Sequence, residues 1–136
     1  MKKLAILLTP ILILITACGQ KKTEEDANKV LYNQVMDIHD EVMPSIDELH
    51  RLKKQLTEKI ENSPDLVEEK RQEIEQTILL IDSASKGMMR WMREFKPEEY
   101  KEGELTKYLE SEMKRVQTVK EAMQDALDKG RKTTQE

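Results

Sequence analysis

The sequence has few of the residues on which most catalytic and metal-dependent chemistry depends. Its 136 residues include one Cys and two His. A single Cys excludes a disulfide within the chain. So few Cys and His leave little material for a zinc site or for a Cys–His nucleophile.

Aromatic and turn-forming residues are scarce as well. Aromatics make up 4% of the chain, and Gly and Pro number four each. Sandwiches and barrels need many aromatic or β-branched strand positions and frequent turns, so the composition disfavours both. The length is enough for one small domain, and 37% charged residues favour long solvated helices.

The charge balance excludes two classes of partner. The formal net charge is -4, and no basic run longer than two residues occurs in the sequence. Nucleic-acid binding needs a basic surface, and a polybasic membrane patch needs clustered Lys or Arg. We therefore expect no nucleic-acid partner and no electrostatic membrane surface.

The N-terminus has the pattern of a secretory signal. Lys2 and Lys3 precede an apolar run over residues 4–15. As a helix this run would cover about 18 Å, whereas a hydrocarbon core is about 30 Å thick. The run is too short to span a membrane and suits the apolar region of a signal peptide.

The four residues that end this run, Ile15-Thr16-Ala17-Cys18, resemble the lipobox of bacterial lipoproteins, in which a small residue precedes an obligatory Cys. The resemblance implies cleavage of residues 1–17, a diacylglyceryl thioether on Cys18, and an acyl chain such as palmitate on its new amine. Two or more chains are needed for stable anchoring. An uncleaved signal anchor, or an ordinary signal peptide with a chance Cys, is the alternative.

The lipobox resemblance also implies a location in the cell envelope. Asp after the Cys commonly retains lipoproteins at the inner membrane, and Gly19 does not match that pattern. We therefore expect the outer membrane, with the leaflet undecided. The acidic residues 23–26 allow either a surface-export signal or a helix start, and we favour the helix start.

The rest of the chain is predicted to be all-α. Apolar residues recur at helical spacing in three segments. Short links between amphipathic helices predict an antiparallel up-down-up three-helix bundle with coiled-coil-like packing. The predicted parts are a flexible tether over 18–27, a bundle over 28–130 with helices of about 26–61, 64–95 and 104–129, and a polar tail over 131–136.

The apolar rows of the three segments are the candidate core. They comprise Val35, Val42, Leu49 and Leu56, with Leu31, Ile38 and Leu52 beside them; Val67, Ile74, Ile81, Met88 and Phe95, with Ile78, Ser85 and Met92 beside them; and Leu105, Leu109, Val116, Val119, Met123 and Ala126.

Helix-breaking and capping residues mark the predicted boundaries. Pro44 lies inside the first apolar row, which continues in phase after it, so we expect a kink there. Ser63 suits a helix N-cap, and Pro97 interrupts the chain after the second segment. Gly130 is predicted to be a C-cap.

Methionine and histidine form the one candidate metal set. Met36, His39 and Met43 share one side of a helix, and Met88 and Met92 lie one turn apart beside Trp91. An antiparallel pairing would bring the two groups together. Thioether and imidazole ligands select Cu(I) or Ag(I). The spacings resemble Met/His motifs of periplasmic silver- and copper-binding proteins.

A packing role accounts for the same residues without a metal. Methionine is a common gap-filler in cores, and a His on an apolar face is more often a core residue than a ligand. We favour this packing interpretation and keep the Cu(I) or Ag(I) site as the alternative.

No catalytic constellation is predicted, although His39-Asp40-Glu41 has a superficial likeness to a hydrolase motif. The other histidine, His50, would lie about 16 Å along the same helix, too far to share an ion. The Glu-x-x-His pairs of di-iron bundles and the phosphate-binding glycine loop are both missing from the sequence.

The lipobox and two further motifs in combination resemble a family of short bacterial lipoproteins. The two motifs are His39-Asp40-Glu41-Val42-Met43-Pro44 and Met88-Met89-Arg90-Trp91-Met92-Arg93-Glu94-Phe95. Some members carry the label "viral A-type inclusion protein", which describes no activity. The resemblance covers nearly all of the chain after Cys18. It implies an envelope lipoprotein with an all-helical fold and transfers no catalytic residue.

These observations favour a lipid-anchored, non-enzymatic interaction or scaffolding protein. Its predicted partners are the membrane, through acylated Cys18, and a protein that the sequence does not identify. Broad apolar rows permit a monomer or a weak homodimer. The alternative is a periplasmic protein that binds or buffers Cu(I) or Ag(I) through Met36, His39, Met43, Met88 and Met92.

Overall fold

A computed structural model describes the backbone of residues 17–136 and the side chains of residues 23–136. The predicted signal peptide therefore lies outside the described residues except for the backbone of Ala17. The described part is all-helical and contains no strand, which confirms the predicted fold class at this level. Its elements are α1 (Ala17–Val42), α2 (Ser45–Glu61), α3 (Glu68–Glu94), a 3₁₀ turn (Pro97–Glu99) and α4 (Glu102–Gln135).

Among residues 17–136, no helix combines the length and the apolar character that crossing a membrane requires.

The first predicted segment is divided at Met43 and Pro44. The Met43 N–H still donates to the His39 carbonyl at 2.9 Å. Pro44 has no N–H to donate, so helical hydrogen bonding stops there. On α4, Lys120 pairs with Glu41 of α1 and Arg131 with Glu48 of α2. The later residue of the first segment, Glu48, thus pairs with the later residue of α4. The chain therefore keeps its direction across the break, which is a kink.

The segment predicted to be a tether, residues 18–27, is part of α1. One contact just beyond this segment joins α1 to α4. Asn28 is buried, and its Oδ1 accepts a hydrogen bond from Thr106 Oγ1 of α4 at 2.6 Å. This bond holds α1 against α4 at residue 28. The structure thus differs from the predicted boundary at residue 28.

The second helix begins later than the capping pattern predicts. The Ser63 carbonyl accepts from the Leu66 N–H at 3.2 Å, so residues 63–66 form a turn. α3 then starts at Glu68, with extended Val67 as its N-cap and no side-chain cap. Val67, predicted as a core position, is 65% exposed. A turn after Pro64 therefore replaces the first predicted helical turn.

The last helix continues past the predicted C-cap. Gly130 lies inside α4, and none of the described glycines has a positive φ. A Cβ placed on Gly130 would come within 3.1 Å of Leu52 Cδ1 and 3.2 Å of Ile81 Cδ1. The residue therefore permits close approach of α2 and α3 to α4. We call Gly130, Leu52 and Ile81 the glycine contact.

The predicted polar tail, residues 131–136, also forms part of α4 up to Gln135. Thr133 is fully buried, and its hydroxyl lies 3.3 Å from that of Thr77 on α3. Lys70 of α3 pairs with Glu136 at 2.6 Å. These two contacts to α3 account for the additional helical turn.

Buried apolar side chains from α1, α2, α3 and α4 form one core. Most predicted row positions belong to it. The core residues are Val35, Val42, Ile46, Leu49, Leu52, Leu56, Ile74, Ile81, Ala84, Met88, Trp91, Val116, Met123, Ala126 and Leu127.

Candidate functional site

Every aromatic side chain of the protein belongs to one connected set, which lies where α1, α3 and the beginning of α4 meet. The chain has one Trp, one Phe and three Tyr. We call these five residues, with His39, the aromatic cluster. Its ring-centroid distances are 5.7 Å for His39–Trp91, 5.0 Å for Trp91–Phe95, 5.8 Å for Tyr32–Phe95, 6.1 Å for Phe95–Tyr108 and 4.0 Å for Tyr100–Tyr108.

Trp91 connects this cluster to a buried carboxylate. Its Nε1–H donates to Glu112 Oε2 at 2.8 Å, and Glu112 is only 2% exposed. Arg115 donates to the other oxygen, Glu112 Oε1, at 2.7 Å and also pairs with Glu94 of α3. A buried charge requires such partners. The Glu112 hydrogen bond, opposed by partial burial and reinforced by Glu94, raises the pKa of Arg115.

Sequence reasoning missed Glu112, although a signal was present. Glu112 falls three residues after Leu109 and four before Val116, which places it in the apolar row of α4. A charged residue at such a position has to find a buried partner. The single Trp, whose N–H needs an acceptor when buried, is the natural candidate.

His39 has one ring nitrogen bonded and one left without a partner. Its side chain is 12% exposed, and Nδ1 lies 2.8 Å from Asp40 Oδ1. Nε2 is buried and has no hydrogen-bond partner. If Nδ1 carries the hydrogen, as a bond to a carboxylate favours, Nε2 presents a bare lone pair. Most buried polar atoms in proteins are hydrogen-bonded, so this exception needs an explanation.

A second buried atom without a partner lies on α3 near the same interface. Ser85 is 8% exposed, and its Oγ has no hydrogen-bond partner. Along α3, Ser85 comes after Asp82, which pairs with Lys53 of α2, and before Trp91, which contacts His39 of α1. Within residues 23–136, His39 Nε2 and Ser85 Oγ are the two buried side-chain atoms in this condition.

The predicted methionines differ in their surroundings. Met88 is fully buried in the core, and Met43 is partly buried against that core. Met36 is also partly buried, whereas Met92 is 40% exposed. The contact between His39 and Trp91 brings the α1 group and the α3 group to the same interface. Met92, predicted as a row position, is therefore a rim residue.

Cys18 lies in the first turn of α1, and its side chain is outside the described residues. Its predicted lipidation stays a prediction. Among the described residues, no group of three or more His, Cys, Asp or Glu side chains could hold a metal ion. The predicted metal set consists mainly of methionine thioethers, which are not among these four residue types.

An open groove runs between α1 and α4. Its volume is about 790 Å³. Apolar side chains from both helices line it, with charged residues at the edges. The lining residues are Leu31, Gln34, Asp37, Ile38, Glu110, Met113 and Lys114.

Comparison with known proteins adds no family assignment, since no protein-family model, no curated protein and no solved structure matches this chain.

Proposed function

We propose that this protein is anchored to the cell envelope by lipid on Cys18 and serves a non-enzymatic interaction or scaffolding role. The observation that carries the proposal is the position of the lone Cys at the end of a signal-like apolar run. The same residue lies in the first turn of α1, which continues to Val42. Acyl chains on Cys18 would therefore join the membrane directly to the helical domain.

We infer that the domain is an up-down-up three-helix bundle, with α1 and α2 acting as one kinked helix. Contacts between α1–α2 and α3 support opposite directions, since Tyr32 meets Phe95 while Lys53 meets Asp82. Opposite directions for α3 and α4 follow in the same way. Trp91 bonds Glu112, whereas Glu73, earlier on α3, pairs with Lys129, later on α4.

The groove between α1 and α4 supports the interaction role. Its apolar floor of Leu31, Ile38 and Met113 has charged residues of both signs at its edges, Glu110 and Lys114 among them. Apolar surface rimmed by polar residues is typical of protein-binding surfaces. A protein partner, or a second copy of this chain in a weak dimer, would occupy it.

Lipidation is tested by growing a bacterial host with an alkynyl fatty acid and detecting label on the expressed full chain. We expect label on the wild type and recovery in the membrane fraction. Cys18→Ser should remove the label and move the protein out of that fraction, because one acyl-bearing residue supplies the anchoring.

A matched control separates the motif from the thiol itself. The double variant Cys18→Ser with Ser111→Cys restores one cysteine at an exposed position of α4. Label on this variant equal to that of the wild type would contradict motif-directed lipidation. Density separation of the two membranes tests the proposed outer-membrane location, and protease treatment of intact cells distinguishes the two leaflets.

The interaction role is tested with a photocrosslinking residue at Gln34, which lines the groove. Gln72, exposed on α3, is the control position. We expect a discrete adduct from Gln34 and none from Gln72. An adduct of twice the mass of the chain would identify a homodimer. Equal, diffuse crosslinking from both positions would contradict a role for the groove.

A further inference from the structure

We propose that His39 Nε2, together with the thioethers of Met43 and Met88, forms a site for a soft monovalent metal ion, Cu(I) or Ag(I), beneath the kink between α1 and α2. The site is independent of the lipid anchor. It therefore stands or falls separately from the proposed function.

The lone pair of His39 carries the argument. Metal-binding histidines usually donate their other ring N–H to a carboxylate or carbonyl, which sets the tautomer and aims the free nitrogen. Asp40 supplies that carboxylate at 2.8 Å from Nδ1. With the hydrogen on Nδ1, the lone pair of Nε2 is buried and has no hydrogen-bond partner. The arrangement is the one a ligating imidazole requires.

Two thioether residues are placed near His39 by the backbone and by the ring contact. Met43 is four residues after His39, and its N–H donates to the His39 carbonyl at 2.9 Å, so the two residues share a helical face. Met88 is three residues before Trp91, whose ring contacts the His39 ring. Met88 is a core residue, and Met43 is partly buried against that core. One imidazole and two thioethers make a soft donor set that selects Cu(I) over Zn(II) or Mg²⁺.

The distribution of methionine is uneven in the way a site predicts. Of the eight methionines, five lie in the two stretches 36–43 and 88–92, and these stretches meet at the His39–Trp91 contact. Met89 and Met92 are 37% and 40% exposed on the α3 side. Two exposed thioethers beside one buried and one partly buried thioether would offer an entering ion successive ligands.

Local packing at the kink leaves polar groups for an ion to compensate. Pro44 cannot donate to the Asp40 carbonyl, and Ser85 Oγ, one turn before Met88, is buried without a partner. A core designed for packing alone would have apolar atoms at the positions of His39 Nε2 and Ser85 Oγ. An ion bound to the histidine would satisfy its nitrogen.

The probe ions are Ag(I) in chloride-free buffer, and Cu(I) under anaerobic conditions with a competing chromophoric chelator. The protein is the chain lacking residues 1–17 with Cys18→Ser, which removes the thiol. Trp91, the one Trp of the chain, reports directly because its ring is 5.7 Å from His39. We expect stoichiometric quenching of its fluorescence by Ag(I) and withdrawal of one Cu(I) from the chelator.

Matched variants identify the ligands. Met43→Leu and Met88→Leu keep volume and apolar character, so the fold should survive, and Met113→Leu and Met123→Leu are their controls. His39→Gln is compared with His50→Gln, since His50 is exposed on α2. We expect at least tenfold weaker binding for each of the three ligand variants. The control variants should bind with the affinity of the wild type. Asp40→Asn should weaken binding about 10-fold or more by releasing the imidazole.

Three results would overturn the site. The first is failure of the wild type to compete with the chelator. The second is equal loss for His39→Gln and His50→Gln, which would indicate surface binding. The third is wild-type affinity in both Met43→Leu and Met88→Leu when circular dichroism shows that the variants are folded.

Discussion

The aromatic cluster and the glycine contact both join α3 to α4, and they do so in opposite ways. Around Trp91, the helices are separated by large rings with polar tips, and a buried carboxylate, Glu112, satisfies the indole N–H. Around Gly130, a missing Cβ lets Leu52 and Ile81 approach the α4 backbone directly. Both regions bury polar atoms: Glu112 near the rings, and Thr77 and Thr133 near Gly130. In the aromatic cluster His39 Nε2 is buried without a partner, whereas the two threonine hydroxyls lie 3.3 Å apart.

Ion pairs follow the same division. Near the glycine contact, the charged side chains pair between helices at the surface: Lys53 with Asp82, and Lys129 with Glu73, both at 2.5 Å. Near the aromatic cluster, one charge is taken inside, as Glu112 bonded to Arg115. Because surface pairs contribute little and buried ones lose much when one partner is removed, the two regions should respond differently to mutation.

The largest effect is expected for Trp91→Ala, which opens a cavity in the aromatic cluster and removes the indole partner of Glu112. Truncation of a buried Trp costs about 3–5 kcal/mol. The free energy of unfolding from urea titrations followed by circular dichroism should fall by that amount. Leu79→Ala, at a residue 67% exposed, is the control and should change it by less than about 0.5 kcal/mol. Similar losses in both variants would contradict a central packing role for Trp91.

The glycine contact is tested by paired substitutions in two helices. Gly87→Ala should stabilise by up to about 1 kcal/mol, because alanine is the better helix former and nothing lies within 4 Å of its added Cβ. Gly130→Ala should gain less, since Leu52 and Ile81 must move aside, and Gly130→Leu should destabilise by about 1–3 kcal/mol. Equal gains for both alanine variants would show that no close approach occurs at Gly130.

A double-mutant cycle measures the bond between the aromatic cluster and its carboxylate. Trp91→Phe removes the N–H, and Glu112→Gln removes the charge while keeping the shape. Groups in direct contact usually couple by about 0.5–3 kcal/mol, so we expect a coupling of about 1 kcal/mol. The same cycle with Glu110→Gln, exposed on the same helix, should give none. Additive effects of Trp91→Phe and Glu112→Gln would exclude an energetically important bond.

The smallest effect is expected from acid, and it should arise near the glycine contact. Hydrogen bonds from Lys129 and Lys70 lower the pKa of Glu73 from 4.5 to about 2. The unfolded chain therefore binds this proton first as pH falls, so stability present above pH 4.5 is lost progressively towards pH 2. Lys53 lowers the pKa of Asp82, and Arg131 that of Glu48, in the same direction.

The measurement is the thermal midpoint at pH 6 and at pH 3. Glu73→Gln should show a smaller drop between these values than the wild type. Glu75→Gln, exposed on the same helix, should drop as the wild type does. A drop unchanged by Glu73→Gln would show that this pair does not contribute to acid sensitivity.

The sequence predicted the helices and most of the core because both depend on local periodicity. Residues such as Val35, Leu49 and Ile81 lie in the predicted rows and are fully buried. Met92 departs from its row because its neighbour Trp91, at 2% exposed, takes the inward position at this level of α3, while Met92 is 40% exposed.

The features that the sequence did not predict depend on contacts between helices. Gly130 has the usual residue type of a C-cap, and only the nearness of Leu52 and Ile81 shows why it lies inside α4. Likewise, the bond between Asn28 and Thr106 joins residues 78 positions apart, a contact that local periodicity does not predict. The Met/His set was a candidate metal site from the sequence alone. That His39 Nε2 has no hydrogen-bond partner could be seen only in the packed structure.

The most direct test of lipid anchoring at Cys18 is the intact mass of the full-length protein after expression and extraction from bacterial membranes with detergent. We predict a mass lower by residues 1–17 and higher by a diacylglyceryl group, with or without a further acyl chain, and fragmentation that places the added mass on Cys18. An unmodified full-length chain of 15.9 kDa in the membrane fraction would contradict the proposal.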